Sequence, residues 1–154
     1  MHPGDFFHES IAAVHALGVR AVLLAGGGRE QIHDPLSDSI LVARYLPFSK
    51  IMPKAAVIVH QGGIGTTAQA LRAGRPMLIV PWSHDQPDNA ERVQRLGAGR
   101  TIPRSRYYAP RVEDELRSLL TNDTYQERTR DLATRIAGED GVTNACAAIE
   151  AAIA

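Results

Sequence analysis

The sequence predicts an α/β fold organised as a doubly wound parallel sheet. Three observations carry that reading. Short runs rich in Val, Ile and Leu recur through the first two-thirds of the chain, apolar at consecutive positions, as strands covered on both faces are. Segments with a helical apolar period separate them. One run leads straight into a glycine-rich turn and then a helix, the kind of junction at which doubly wound sheets take their ligands.

The elements follow in order. Asp5 is placed to cap a first helix with apolar face Phe7, Ile11 and Val14, closing at Gly18. Residues 19–25 (VRAVLLA) read as a buried strand ending in Gly26, Gly27 and Gly28. A polar loop over 29–39 has Asp34 and Pro35 as turn residues. Residues 40–46 (ILVARYL) form a second strand stopped by Pro47, and 49–54 a short helical turn broken by Pro53. Residues 56–60 (AVIVH) are a third strand, running into Gly62, Gly63 and Gly65. A helix over 66–73 stops at Gly74, with Pro76 beyond it. Residues 76–82 (PMLIVPW) are a fourth strand. A helix over 86–96 has Pro87 near its start, an inward stripe of Ala90, Val93 and Leu96, and Gly97 as its stop. Residues 100–103 fit a fifth, edge strand. The rest is a helical C-terminal tail with three stripes: Val112, Leu116 and Leu119; Tyr125, Leu132 and Ile136; Val142, Cys146, Ile149 and Ile153.

With 154 residues, 44% of them hydrophobic, the chain (1–154) reads as a single domain, without repeat or linker. Seventeen basic and seventeen acidic residues balance, which favours neither a nucleic-acid backbone nor an anionic membrane. No apolar run is long enough for a membrane span, and the first residues resemble no signal or transit peptide. One cysteine rules out an internal disulfide and makes the cytoplasm the expected compartment. Cys146 lies on an apolar stripe and is expected in the core.

The turn between the third strand and its helix, VHQGGIGTT (59–67), carries the chemistry. Glycines let a ligand approach the backbone, and a helix N-terminus offers free N–H groups with partial positive charge. Thr66 and Thr67 add hydroxyls. The segment suits a diphosphate; it also suits a tight turn with no ligand. A dinucleotide reading competes, because Gly63, Gly65 and Ala68 fit the Rossmann pattern G-x-G-x-x-A and Asp85 could meet a ribose. Against NAD(P), the turn follows the third strand, Asp85 comes after a Pro81–His84 loop, and His60 and the DQPDN segment (85–89) are left without a role. No Gly-Lys-Ser/Thr follows the glycines, so this is not a P-loop. No D-x-D pair supports a metal-bridged diphosphate, and His60 with His84 lacks the further ligands a zinc site needs. No metal and no cofactor are expected.

These residues carry a family likeness. YLPFS (45–49), VIVHQGGIGTTAQALRAGRP (57–76) and PWSHDQPDNAERVQRLGAG (81–99) resemble the signature region of family 1 glycosyltransferases, which act on antibiotics, flavonoids, sterols and plant metabolites. H-x-G-G-x-G-T-T, A-L-x-x-G-x-P and D-Q-x-x-N-A, in this order, are specific, and the likeness extends over essentially the whole chain. It implies the Rossmann-like C-terminal, nucleotide-sugar-binding half of a GT-B fold.

The likeness also implies roles. His60 would bind a donor phosphate oxygen, and Gly62, Gly63, Gly65, Thr66 and Thr67 would cradle the diphosphate. Asp85 and Gln86 would accept from and donate to sugar hydroxyls; alone, Asp85 could equally be a helix N-cap. Donors aimed at a leaving diphosphate stabilise it without metal. A base-stacking Trp and a Gln three residues later, found in plant members, are Tyr45 and Phe48 here; Tyr45 could stack on the base and Phe48 could be core. The family's general base is a histidine of the acceptor-binding domain. His2, His8, His15 and His33 match no such motif and read as surface or satisfied helix histidines, and Trp82 as a cleft wall. The implied reaction is inverting transfer of a hexose from a UDP- or TDP-sugar to a small lipophilic acceptor. The partners are that donor and an N-terminal acceptor-binding domain; a subunit working with a separately encoded partner is the alternative. A doubly wound sheet opens on a central strand, whereas this sequence opens in a helix. The first strand is therefore expected to be missing, with 19–25 and 56–60 either pairing directly or accepting a strand from another copy as a homo-oligomer.

Overall fold

The computed structural model describes residues 5–27 and 32–153. His2, Gly28 and the first part of the 29–39 loop lie outside the described residues. The fold is α/β with parallel sheets and a helical tail. In chain order the elements are α1 (Phe6–Leu17), β1 (Ala21–Leu24), β2 (Ile40–Ala43), α2 (Phe48–Ile51) with a 3-10 turn Met52–Lys54, and β3 (Ile58–His60). Then come α3 (Ile64–Arg72), β4 (Met77–Ile79), α4 (Gln86–Arg95), β5 (Gly99–Thr101), α5 (Ala109–Thr121), α6 (Asp123–Ala137) and α7 (Gly141–Ile153).

β4 is the centre of the molecule. It pairs in parallel with β3 (Ile58 opposite Met77, His60 opposite Ile79) and with β5 (Met77 opposite Gly99). Its side chains alternate between two cores, as strand geometry requires. Met77 and Ile79 pack with Ala70 of α3, Ala90 and Val93 of α4, and Leu132 of α6. Leu78 faces the other way, onto Ile102, Ala13 of α1, and Val112, Leu116 and Leu119 of α5. Phe48 packs against the first of these cores, in keeping with the core alternative.

The sheet departs from expectation. β1 pairs with β2 (Ala21 opposite Ile40) as a separate two-stranded sheet, and among the described residues β1 and β3 do not pair. Direct closure of residues 19–25 onto 56–60 is thus not what the chain does. The ribbon is covered on one face by Ile11 and Val14 of α1, which pack on Ile40 and Val42. On its other face Val22 and Leu41 are about half exposed, so these strands are not buried on both sides.

Smaller corrections have local causes. Asp5 precedes α1 but makes no side-chain cap, its backbone (φ −84°, ψ 9°) lying outside the extended region a cap needs. Leu96 falls just past the last turn of α4 and is exposed, so the inward stripe is Ala90 and Val93. Cys146 is exposed, because α7 buries none of its residues. The short turn Arg104–Arg106 carried no apolar period by which to read it. His8 binds Asp34 (2.5 Å) and His15 binds Ser37 (3.1 Å), satisfied surface histidines as expected. No helix of the described residues is long and apolar enough to cross a membrane.

Candidate functional site

β3 ends at His60, and the chain must reverse into α3 within three residues. Gly62 makes this possible: its φ is +90°, and a Cβ there would lie 2.8 Å from Ile79 Cγ2 and 3.2 Å from the Gln86 carbonyl oxygen. The glycine turn is thereby pressed against the start of α4. The Gly62 N–H donates to His60 Nδ1 (3.0 Å). Nδ1 is then the acceptor nitrogen of a neutral ring, and the proton sits on Nε2. That Nε2–H is buried and has no hydrogen-bond partner among the described residues. Burial also pushes the His60 pKa down to about 4, so the ring is a neutral donor at physiological pH.

α3 opens immediately afterwards. Gly63 stands at its cap position in extended conformation, and no side chain caps the helix. A Cβ on Gly65 would meet nothing within 4 Å, so packing does not explain that glycine. Thr66 is partly exposed. Thr67 is not available as expected: it is buried, and its hydroxyl donates to the Gly63 carbonyl (3.0 Å). Neighbours on a helix point about 100° apart, so only one of two adjacent threonines can face outward.

The second half of the site follows β4. Asp85 occupies the N-cap position of α4 but makes no cap bond, so the simple capping role does not hold. Its Oδ2 instead accepts from Asn89 Nδ2 (2.7 Å). Asn89 Nδ2 also donates to the Gly62 carbonyl (3.0 Å), so one amide joins the glycine turn to Asp85. Gln86 Oε1 accepts from the Trp82 N–H (2.8 Å) and the Ser83 N–H (3.2 Å), which leaves Gln86 only its NH2 to offer. Arg104 lies over the Trp82 ring at 3.5 Å, and His84 holds the left-handed conformation (φ 59°) uncommon for a side-chain-bearing residue.

The chain thus brings together His60, Gly62, Gly63 and, through Asn89 and Gln86, Asp85. Tyr45 stands apart, after β2 on the other sheet, with 76% of its surface exposed. Asn89 was not singled out from the sequence; its place in D-Q-x-x-N-A, one turn after Asp85, was the available signal. A hollow of about 640 Å³ on the flank of α4 is lined by Pro81, Pro87, Ala90, Thr101 and Arg104, and by none of the predicted residues. Among the described residues no three His, Cys, Asp or Glu side chains form a group that could hold a metal ion.

Residues 9–151 match the family described as "Erythromycin biosynthesis protein CIII-like, C-terminal domain". The chain belongs to this family. Among relatives of the CIII-like domain is O-mycaminosyltylonolide 6-deoxyallosyltransferase of Streptomyces fradiae, 39% identical over 90% of this chain and 32% of its own length. The crystal structure of the glycotransferase of kitacinnamycin superposes with TM-score 0.85 at 27% identity, covering 97% of this chain and 40% of that one. Glycosyltransferase VinC, solved in complex with DTDP, gives 0.76 at 28% identity over 90% of this chain and 34% of its own. The chain spans a third or less of the length of the curated relatives it matches, 32% of the Streptomyces fradiae protein and 21% of a sterol 3-beta-glucosyltransferase of Arabidopsis thaliana. It groups with the C-terminal domains of glycosyltransferases.

Proposed function

We propose that this chain holds a UDP- or TDP-sugar and stabilises the departing diphosphate during inverting, metal-independent transfer of a hexose to a small lipophilic acceptor. The observation that carries the reading is His60: a buried imidazole, its tautomer set by Gly62, with an Nε2–H donor that no described residue satisfies. A buried unpaired donor costs about 1–3 kcal/mol, which a phosphate oxygen would recover. In the proposed complex the uncapped start of α3 adds backbone N–H groups and Thr66 a hydroxyl, while Asp85 and Gln86 bind the sugar and Tyr45 stacks on the base. An N–H aimed at a leaving diphosphate gains strength as its negative charge grows, which makes the contact catalytic as well as adhesive. The general base and acceptor contacts belong to an acceptor-binding partner, in the same polypeptide or a separate one.

Calorimetry with UDP and TDP, without magnesium, tests this. His60→Ala is expected to weaken nucleoside diphosphate binding by about 1.5–3 kcal/mol, the range for a hydrogen bond to a charged group, and to leave uridine or thymidine binding unchanged. Equal losses for nucleoside and diphosphate would mean that His60 serves only the fold.

Gly65→Ala separates ligand from packing in another way. With open space around the added methyl, thermal stability should hold or rise slightly, by up to about 1 kcal/mol, while diphosphate affinity falls. Unchanged affinity would remove Gly65 from the cradle.

The 154 residues alone are expected to transfer no sugar, since acid–base catalysis and acceptor positioning are each worth orders of magnitude, about a hundredfold or more. Turnover onto a lipophilic acceptor by pure chain would overturn this and turn attention to His84 as the base.

A further inference from the structure

Asn89 is 8% exposed, and both hydrogens of its amide are engaged, one by the Gly62 carbonyl and one by Asp85 Oδ2. Its orientation is not arbitrary. Flipping the amide would set its oxygen against a carbonyl and a carboxylate, neither of which can donate. The first acceptor belongs to the turn that supports His60, the second to the side chain assigned to the sugar. Asp85 is an exposed residue without a cap bond, and left to itself it would sample several rotamers. Tied through Oδ2, it keeps Oδ1 free as an acceptor. Gln86, with Oε1 taken by two backbone N–H groups, is left as a donor.

We propose that Asn89 is a positioning residue that fixes the Asp85 carboxylate against the glycine turn and thereby sets the sugar specificity of the site. The site selects a sugar with a hydroxyl donor at Asp85 and an acceptor oxygen at Gln86; a sugar deoxygenated at the first contact leaves the carboxylate without its partner. The inference rests on Asp85 as the sugar contact. Holding the carboxylate in place before the ligand arrives removes an ordering cost from binding.

The test measures affinities for TDP and TDP-glucose, and for UDP and UDP-glucose, and follows the ratio of sugar nucleotide to nucleotide. Asn89→Ala also frees the glycine turn, so both affinities can fall, but the ratio isolates the sugar. The ratio is expected to drop about tenfold in Asn89→Ala, at least as much in Asp85→Ala, and no further in the double variant. A ratio lowered by Asp85→Ala but untouched by Asn89→Ala, or losses that multiply in the double variant, would overturn the inference and leave the donor-site reading standing. A ratio untouched by Asp85→Ala, or no binding of either nucleotide by the unsubstituted chain, would bring down both.

Should Asn89→Ala fail to fold, the near-isosteric Asn89→Asp keeps the proposal falsifiable. Two carboxylates at hydrogen-bond distance share a proton more readily at low pH, so the ratio should recover as pH falls from about 8 to about 5.5. The unsubstituted chain should show no such recovery. A variant ratio that stays flat with pH would exclude Asn89 as the residue that positions Asp85.

Discussion

Replacing Gly99 by alanine is expected to lower the unfolding free energy by about 3 kcal/mol, the upper part of the range for overpacking a dense core. A Cβ at this position would run into the Met77 carbonyl oxygen and lie 3.1 Å from Val93 Cγ1. The oxygen is backbone of β4, so no rotamer change can relieve the contact. Either β5 separates from β4, at the expense of their ladder, or α4 moves off the sheet with Val93. For a domain of this size the melting temperature should fall by roughly 6–12 °C, and the urea midpoint should fall with it. Gly141→Ala, where the added methyl meets nothing within 4 Å, is the control and should be neutral. A Gly99→Ala loss below about 1 kcal/mol would show that the β4–β5 pairing yields more easily than its geometry implies.

Acid should weaken the fold through His60. Its pKa is lowered by burial from 6.5 to about 4, so the unfolded chain takes up the proton first. The contribution of the neutral ring is complete above pH 6.5 and is lost as pH falls through the interval down to about 4. The loss over that interval is about 3 kcal/mol. His8 runs the opposite way: its hydrogen bond to Asp34 raises its pKa, so its contribution is present below the unfolded value and fades as pH rises through the folded one. Urea titrations between about pH 7.5 and pH 4, on the unsubstituted chain and on His60→Gln, isolate the larger effect. The substituted chain should lack most of the acid limb. Parallel curves would assign that limb to other groups.

What the sequence made legible was whatever depends on local pattern. The run PMLIVPW marked β4 because a strand paired on both edges and covered on both faces must be apolar throughout. The same pattern misled at residues 19–25, since VRAVLLA states the appetite for burial and not whether a neighbour meets it; Val22 stays half exposed. The stripe of α7 is another case, a sound helical period that none of the described residues buries. At the site, His60 and Gly62 could be read from residue type and spacing. The inward turn of Thr67 could not, because only packing decides which of two adjacent threonines faces out. Asn89 was hidden for a related reason: its bond to Gly62 spans 27 residues, and no local rule records it.

The arrangement of α1 has a bearing on how the molecule breathes. Ala13 belongs to the core under β4, while Ile11 and Val14 belong to the core under β1 and β2, so a single helix serves both sheets. With no ladder between β1 and β3 among the described residues, opening of the ribbon ruptures no described ladder bond of the larger sheet. The two are candidates for separate cooperative units, each with its own opening free energy. Tyr45 rides with the ribbon, His60 and Asp85 with the sheet. A nucleotide lying across both, base on one and diphosphate on the other, would act as a rivet: its binding free energy would add to the resistance of each unit to opening and merge two sub-global transitions into one.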